Sequence, residues 1–373
     1  MGKIQKLPNF FKDRPLFGLD IGNGSLKVMQ TEPGSNTDTI TDTIGQSARN
    51  VCRLIGYGSC HFAPEAINNG VIIQPEIIAE AAKNLFSSHL IGDITTNRAS
   101  LTIPSYRSFT RSLILPELSD KELADAINTE AEQYIPVPLE KLYIDFEPIR
   151  TLKDTREYLV VAVPKEIVDS YIDLASIMGL EVVSVETTMS SAGRLFSHDY
   201  QSDVPTIIID FGSLSSDISI FDKVMLTSST VQGGGEVFTK TIEKTLKVTA
   251  QEAHIIKTRY GLGVSKRQKE VQAGLEPVFN QIVKEIRRLI RYYEENYGTE
   301  RPISQIVTLG GGSNIPGLNE FLTNQLRLAV RPCDPWQYLR VNKLKLPTHA
   351  DKQMYATVAG LSMTNPKEVF SND

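Results

Sequence analysis

The sequence has little of what marks a secreted, membrane-spanning or metal-centred protein. Its three cysteines, Cys52, Cys60 and Cys333, are odd in number and form no CxxC pair. That speaks against a disulfide framework and suits a reducing compartment. No apolar run approaches the roughly 20 residues of a spanning helix, and the start shows no signal-peptide pattern. The histidines (His61, His89, His198, His254 and His349) show no metal-ligand spacing, and no Ser/His/Asp arrangement stands out. Positive charge is not in excess. The formal net charge of −5 argues against a general nucleic-acid binder. A Walker GxxxxGK[ST] loop is missing, and GNGSLK lacks the third glycine of a dinucleotide fingerprint. What remains is a chain of 373 residues, 41% hydrophobic, with length and apolar content for two domains with ordinary cores.

The informative stretches are glycine turns at strand ends. In FGLDIGNGSLKVMQ (residues 17–30) an apolar strand reaches Asp20 and then a turn of Gly22, Asn23 and Gly24, with Asn23 tolerant of positive φ. Alternation resumes at Leu26 and Val28, so the stretch reads as a hairpin. Glycine amides without a Cβ can approach an anion closely. A carboxylate beside a polyphosphate needs a cation between them. The pairing therefore suggests Mg²⁺ and phosphate, with Asp20 holding the metal through water. Alone, the stretch reads first as an ordinary hairpin with an Asx-stabilised end.

The pattern returns in TIIIDFGSLSSDISIF (206–221), where Asp210-Phe211-Gly212 aligns with Asp20-Ile21-Gly22. Two copies suggest two similar halves facing each other across a cleft, with an aspartate from each near one metal ion. A third element, ISQIVTLGGGSNIPGLNEFLTNQL (303–326), is a short strand, a triple glycine and a helix that Ser313 or Asn314 can cap. The glycines leave room for a flat group, although glycine runs also serve plain strand-to-helix turns. A fourth, VQGGGEVFTKTIEKTL from Val231, passes from glycines into a helix whose first turns carry Glu236, Thr239 and Lys240, placed to face a ribose or base.

These four elements, in this order, resemble the actin-like ATPase superfamily, which includes actin, heat-shock chaperones, sugar kinases and FtsA. The resemblance implies an α/β, actin-like (ribonuclease H-like) two-domain fold that binds ATP and Mg²⁺. It assigns phosphate and metal contacts to Asp20, Gly22, Asn23, Gly24, Ser25 and Lys27 and to Asp210, Gly212 and Ser213. The helix start adds Gly234, Gly235, Glu236, Thr239 and Lys240. The adenosine side falls to Gly310, Gly311, Gly312 and Ser313.

The region between the hairpins narrows the branch. Residues 107–149 read as a strand ending at Pro116, then a helix opened by Ser119 and Glu122 as a capping box and stopped before Pro136. Strands at 142–146 and 158–163 and a helix at 169–178 complete a β-α-β-β-α block. The pattern LP-x-L-x-x-x-E-L-x-x-A-I-x-x-E-A-E-x-Y-I-P-x-P (115–138), with the later AVPKEIVDSYIDLASIMGL, resembles the PilM family of type IV pilus machines, over about residues 16–363. That implies an FtsA-type inserted subdomain in the first domain. The expected layout is a tail (1–15), a first domain (16–104, 181–203 and 350–366), the insert (105–180) and a second domain (204–349) with a helical subdomain at about 240–302.

The resemblance also implies partners. The insert and its neighbour would form a groove for the cytoplasmic tail of a PilN-type inner-membrane protein, with further contacts to cytoplasmic pilus components including motor ATPases. The location would be cytoplasmic, at the inner face of the inner membrane. PKEVFSND at the C-terminus lacks the basic amphipathic anchor of FtsA, which favours membrane association through a partner. An FtsA-like polymerising filament protein and a small-molecule kinase on the same fold are the alternatives.

Three features remain. The start, MGKIQKLPNFFKDR, reads as a loosely packed tail, and 35–43 as a polar hairpin loop. A helix over 276–297 carries an apolar stripe and a face of Lys284, Arg287, Arg288 and Arg291, read as solvated. For hydrolysis, the family places the group that orients water where the chain leaves the insert. Glu186 is the candidate there, and a helix-start carboxylate is the alternative reading.

Overall fold

A computed structural model describes residues 14–33, 52–151, 153–199, 203–348 and 351–365. The expected loop at 35–43, and the terminal stretches before 14 and after 365, lie outside the described residues.

The first half runs β1 (Phe17–Ile21), β2 (Ser25–Glu32), β3 (Cys52–His61), a small hairpin of β4 (Ile67–Asn68) and β5 (Val71–Ile72), α1 (Pro75–Asn84), β6 (Ile91–Gly92) and β7 (Arg98–Ile103). The insert follows with β8 (Phe109–Pro116), α2 (Asp120–Tyr134), β9 (Leu142–Thr151) and β10 (Thr155–Pro164). The chain returns through α3 (Lys165–Ile177), β11 (Glu181–Thr187) and α4 (Thr188–Ser197). The second half is β12 (Thr206–Phe211), β13 (Ser215–Asp222), β14 (Val224–Gln232), α5 (Gly235–Leu246), α6 (Ala250–Arg259), α7 (Gln268–Tyr297), β15 (Gln305–Leu309), α8 (Leu318–Leu326) and β16 (Ala329–Pro332). The two-residue β17 (Leu339–Arg340) rejoins the first sheet, and α9 (Ala356–Ser362) ends the described fold.

The duplication read from the two hairpins extends to whole sheets. One has the order β11-β7-β1-β2-β3-β17, the other β14-β13-β12-β15-β16. In each, three antiparallel strands are followed by two parallel ones, counted outward from the strand that carries the aspartate. The strand period sorts side chains between layers. Ile207, Ile209 and Phe211 face a core with α5, α7 and α8, while Ile208 faces the opposite way. Two helices, α4 and α9, lie between the sheets in a core shared by both halves. They cross closely because α9 carries Gly360, where a Cβ would meet the Ser191 carbonyl oxygen at 1.9 Å.

In the insert, the sheet β8-β10-β9 packs Leu113, Leu115, Tyr158 and Val160 on Leu123 and Ile127 of α2. The Ser119–Glu122 capping box forms as expected. α3 follows this sheet in the chain but buries Ile167, Tyr171 and Leu174 in the core of the first half. The insert also reaches the second half. Tyr297 of α7 donates to the fully buried Glu157 of β10, whose other oxygen lies 3.1 Å from Arg150.

Two local expectations are corrected. Neither Asn23 nor its flanking glycines adopts positive φ; the turn closes instead through Gly22 N–H donating to the Ser25 carbonyl at 2.8 Å. Nor do Ser313 and Asn314 cap α8. They belong to a short 3₁₀ turn, and the helix starts later, after Gly317. Along α7 the apolar stripe is buried and the basic face exposed, as the spacing predicts. Among the described residues no helix is long and apolar enough to cross a membrane.

Candidate functional site

The two aspartate hairpins meet at one cleft of about 790 Å³, within the range of ligand pockets. Its lining contains Asp20, Gly22, Asn23, Gly24, Ser25 and Lys27 from one half. From the other come Asp210, Gly212, Ser213, Gly235, Glu236, Thr239, Lys240, Gly310, Gly311 and Gly312. Four elements distant in sequence are thus brought together by the paired sheets.

Strand register sets the electrostatics. In the first hairpin Asp20 lies opposite Lys27, and in the second Asp210 lies opposite Asp217. The two halves therefore differ at one equivalent position, a lysine in one and an aspartate in the other. Asp20 is fully compensated. Lys27 Nζ lies 3.0 Å from Oδ2, and Thr102 Oγ1 donates to Oδ1 at 2.8 Å. Asp210 has no cation partner among the described residues. Burial pushes its carboxyl up to about 7, with repulsion from Asp217 and Asp20 adding to the shift and Lys27 offsetting it. Burial also pushes Asp217 up, to about 6, against a hydrogen bond from Thr230 Oγ1 at 2.5 Å.

The glycines differ in what they do. At Gly310, with φ of 81°, a Cβ would lie 2.1 Å from Asp210 Oδ1, so this residue lets the carboxylate pack against backbone. A Cβ at Gly312 would strike Phe211, whereas one at Gly311 would meet nothing within 4 Å. Gly311 therefore borders open space in the cleft.

Beside the second turn, Ser213 Oγ donates to Glu236 Oε1 at 3.0 Å, and Lys257 Nζ donates to the Gly235 carbonyl at 2.8 Å. Burial lowers the Lys257 pKa, offset by nearby Glu236.

Three expected site residues are not in the lining. Gly234 packs beneath the second turn, where a Cβ would meet the Gly212 and Ser213 carbonyls. The Ser313 hydroxyl turns away to the Gly310 carbonyl (2.7 Å) and Gln353. Glu186 is held outside the lining by Arg194, whose Nη2 donates to Oε2 at 2.8 Å. Conversely, Asp217, Lys257, His254, Tyr106 and Thr188 line the cleft and were not singled out from the sequence. Asp217 had a signal, since it follows Asp210 by the same spacing that separates Lys27 from Asp20. The others arrive from separate elements with no local motif.

The family model described as type IV pilus assembly protein PilM matches residues 18–365. The chain belongs to the PilM family. Among solved structures, this PilM-family chain resembles the PilM-PilN type IV pilus biogenesis complex, with a TM-score of 0.76 and 21% identity over 94% of this chain and 98% of that one. It also resembles MreB5 of Spiroplasma citri bound to ADP, with a TM-score of 0.53 and 14% identity over 97% and 100% of the two chains. The cell division protein FtsA of Bacillus subtilis is 23% identical over 357 residues, covering 84% of this chain and 80% of FtsA. The fold is actin-like, as read from the four glycine-bearing elements.

The raised carboxyls set a pH dependence. An unfolded aspartate titrates near 4, so between about pH 4 and 7 the folded protein holds protons that the unfolded chain lacks. The stability from these groups is full below about pH 4 and lost as pH rises through 6 to 7. For metal-free protein, thermal melts should show the wild type gaining on Asp210→Asn as pH falls from 8 to 5.5. A constant difference between the two across that range contradicts the assignment.

Proposed function

We propose that the protein binds ATP with Mg²⁺ in this cleft and serves as the cytoplasmic, actin-like component of a type IV pilus assembly platform at the inner face of the inner membrane. Its partner is the cytoplasmic tail of a PilN-type membrane protein, and other cytoplasmic pilus components, including motor ATPases, dock on the same scaffold. The observation that carries the nucleotide reading is the pairing of a compensated hairpin with an uncompensated one across a single cleft. The MreB5 structure, solved with ADP, supports a nucleotide on this fold.

Mg²⁺ fits the donor set. Asp210 and Asp217 leave the second hairpin short of a cation. Among the described residues no group of three His, Cys, Asp or Glu could chelate a bare ion, which suits a hydrated one held through water. The bound ion would supply charge neutralisation between carboxylates and phosphates. Lys27 and the turn amides of 22–25 and 212–213 would take phosphate oxygens, and Glu236, Thr239 and Lys240 the ribose side. Gly310 to Gly312 would leave space for the base. Glu186, paired with Arg194, is not in the cleft lining, and this reading has ATP hydrolysis slow or regulated.

The PilM-PilN complex supports the partner reading. Exposed apolar side chains lie on α1 and α3, which pack against each other, and on β9 of the insert. Ile73 and Ile77 lie at the start of α1 and Ile172 on α3, while Tyr143 of β9 donates to Asp169 of α3 at 3.0 Å. A partner segment can cover this face.

Calorimetry with Mg-ATP tests the cleft. Asp210→Ala and Gly311→Val should both fold, since a Cβ at Gly311 is unobstructed, and both should lose at least roughly tenfold in affinity. Wild-type binding by both removes the site assignment. For the partner face, a peptide carrying a PilN-type tail should bind wild type and weaken roughly tenfold on Ile172→Asp. Equal binding by the two rules out this surface.

A further inference from the structure

A second cavity, of about 490 Å³, lies between the insert and the second half, with β8 on one side and β14 and α7 on the other. It lies outside the nucleotide reading. Two features give it a chemical character. Its lining carries two arginines, Arg111 and Arg288, and no carboxylate among the described residues, in a chain of net charge −5. Most of the rest of the wall is hydroxyl-bearing; Ser229, Thr230 and Ser108 already donate to Glu285, Asp217 and the Ser105 carbonyl, which leaves Thr110, Thr227, Ser228, Tyr106 and Tyr134 to face a ligand.

The two arginines are not equivalent. Arg288 is already held by Glu285, with Nε 3.0 Å from each carboxylate oxygen. Arg111 has no acidic partner among the described residues. Its guanidinium lies over the Tyr134 ring at 5.1 Å, which orients the fork while leaving its N–H donors available. A planar fork beside a wall of hydroxyl donors is the recognition chemistry of a tetrahedral oxyanion.

The cavity also adjoins the cleft. Tyr106 lines both. Thr230 of the cavity wall donates to Asp217, which lies opposite Asp210. Thr230 gives its hydroxyl proton to Asp217, so it joins the cavity wall to the carboxylate pair and is not itself a donor to an anion.

We propose that this cavity is an oxyanion-binding site, taking inorganic phosphate or a phosphate monoester on Arg111 and the surrounding hydroxyls. The site is separate from the nucleotide cleft. Its occupancy cross-links the insert to the second half.

The test is calorimetric titration of the full chain with inorganic phosphate and, in parallel, with glycerol phosphate. Wild type should saturate. Arg111→Gln, at an exposed side chain, should fold normally and bind roughly ten- to a hundredfold more weakly, the range for one charge-assisted contact. Arg291→Gln, on the solvated face of α7, should bind as wild type. Tighter binding of the ester with the same Arg111 dependence points to a phosphorylated ligand, and the reverse order to the free ion. No saturation by either probe overturns the proposal. So does binding that is unchanged in Arg111→Gln, or that is lost in Lys27→Gln while Arg111→Gln retains it, since that places the anion in the cleft.

Discussion

Two hairpins of the same geometry face one cleft and differ in charge at one equivalent position, and the rest of the site depends on that difference. Lys27 gives Asp20 an internal counterion, whereas Asp217 gives Asp210 a second negative charge. Burial raises both carboxyls of the second hairpin, and at Asp210 repulsion from Asp217 and Asp20 adds to it. A folded protein retains such a pair at a stability cost when something outside the chain supplies the missing charge. On the proposed function, a bound cation and anion would occupy the open space at Gly311 beside the carboxylate that packs on Gly310.

The scaffold makes this geometry rigid. Each aspartate sits on a strand flanked by an antiparallel neighbour and a parallel one, so its position is fixed from both sides. The shared core of α4 and α9 sets how the two sheets face each other. The insert touches both halves, through α3 in the first core and through Glu157 with Tyr297 in the second. A buried carboxylate held by a donor from another unit is costly to strip of that donor.

Legibility in the sequence followed locality. The hairpins, the Ser119–Glu122 box and the apolar stripe of α7 depend on residues within a few positions of one another, and each appears where its pattern placed it. The duplicated sheets were foreshadowed by the aligned Asp-x-Gly motifs. The failures share another cause. Asn23 suits positive φ by type, but the backbone bond from Gly22 to Ser25 closes the turn without it. Ser313 looks like a helix cap until Gln353, 40 positions on, takes its hydroxyl. Glu186 looks free until Arg194 of α4 claims both oxygens. Lys257 and Tyr106 reach the cleft from elements with no motif, and only tertiary packing places them there.

On the proposed function, a cation completes the second hairpin so that phosphates can enter. Calorimetric titration of ATP into the wild-type protein at pH 7.5, once with excess Mg²⁺ and once with EDTA, tests it most directly. The account predicts saturable binding with Mg²⁺ and little or none in EDTA, where the phosphates would face Asp210 and Asp217 uncompensated. Equal affinity in the two solutions would contradict it.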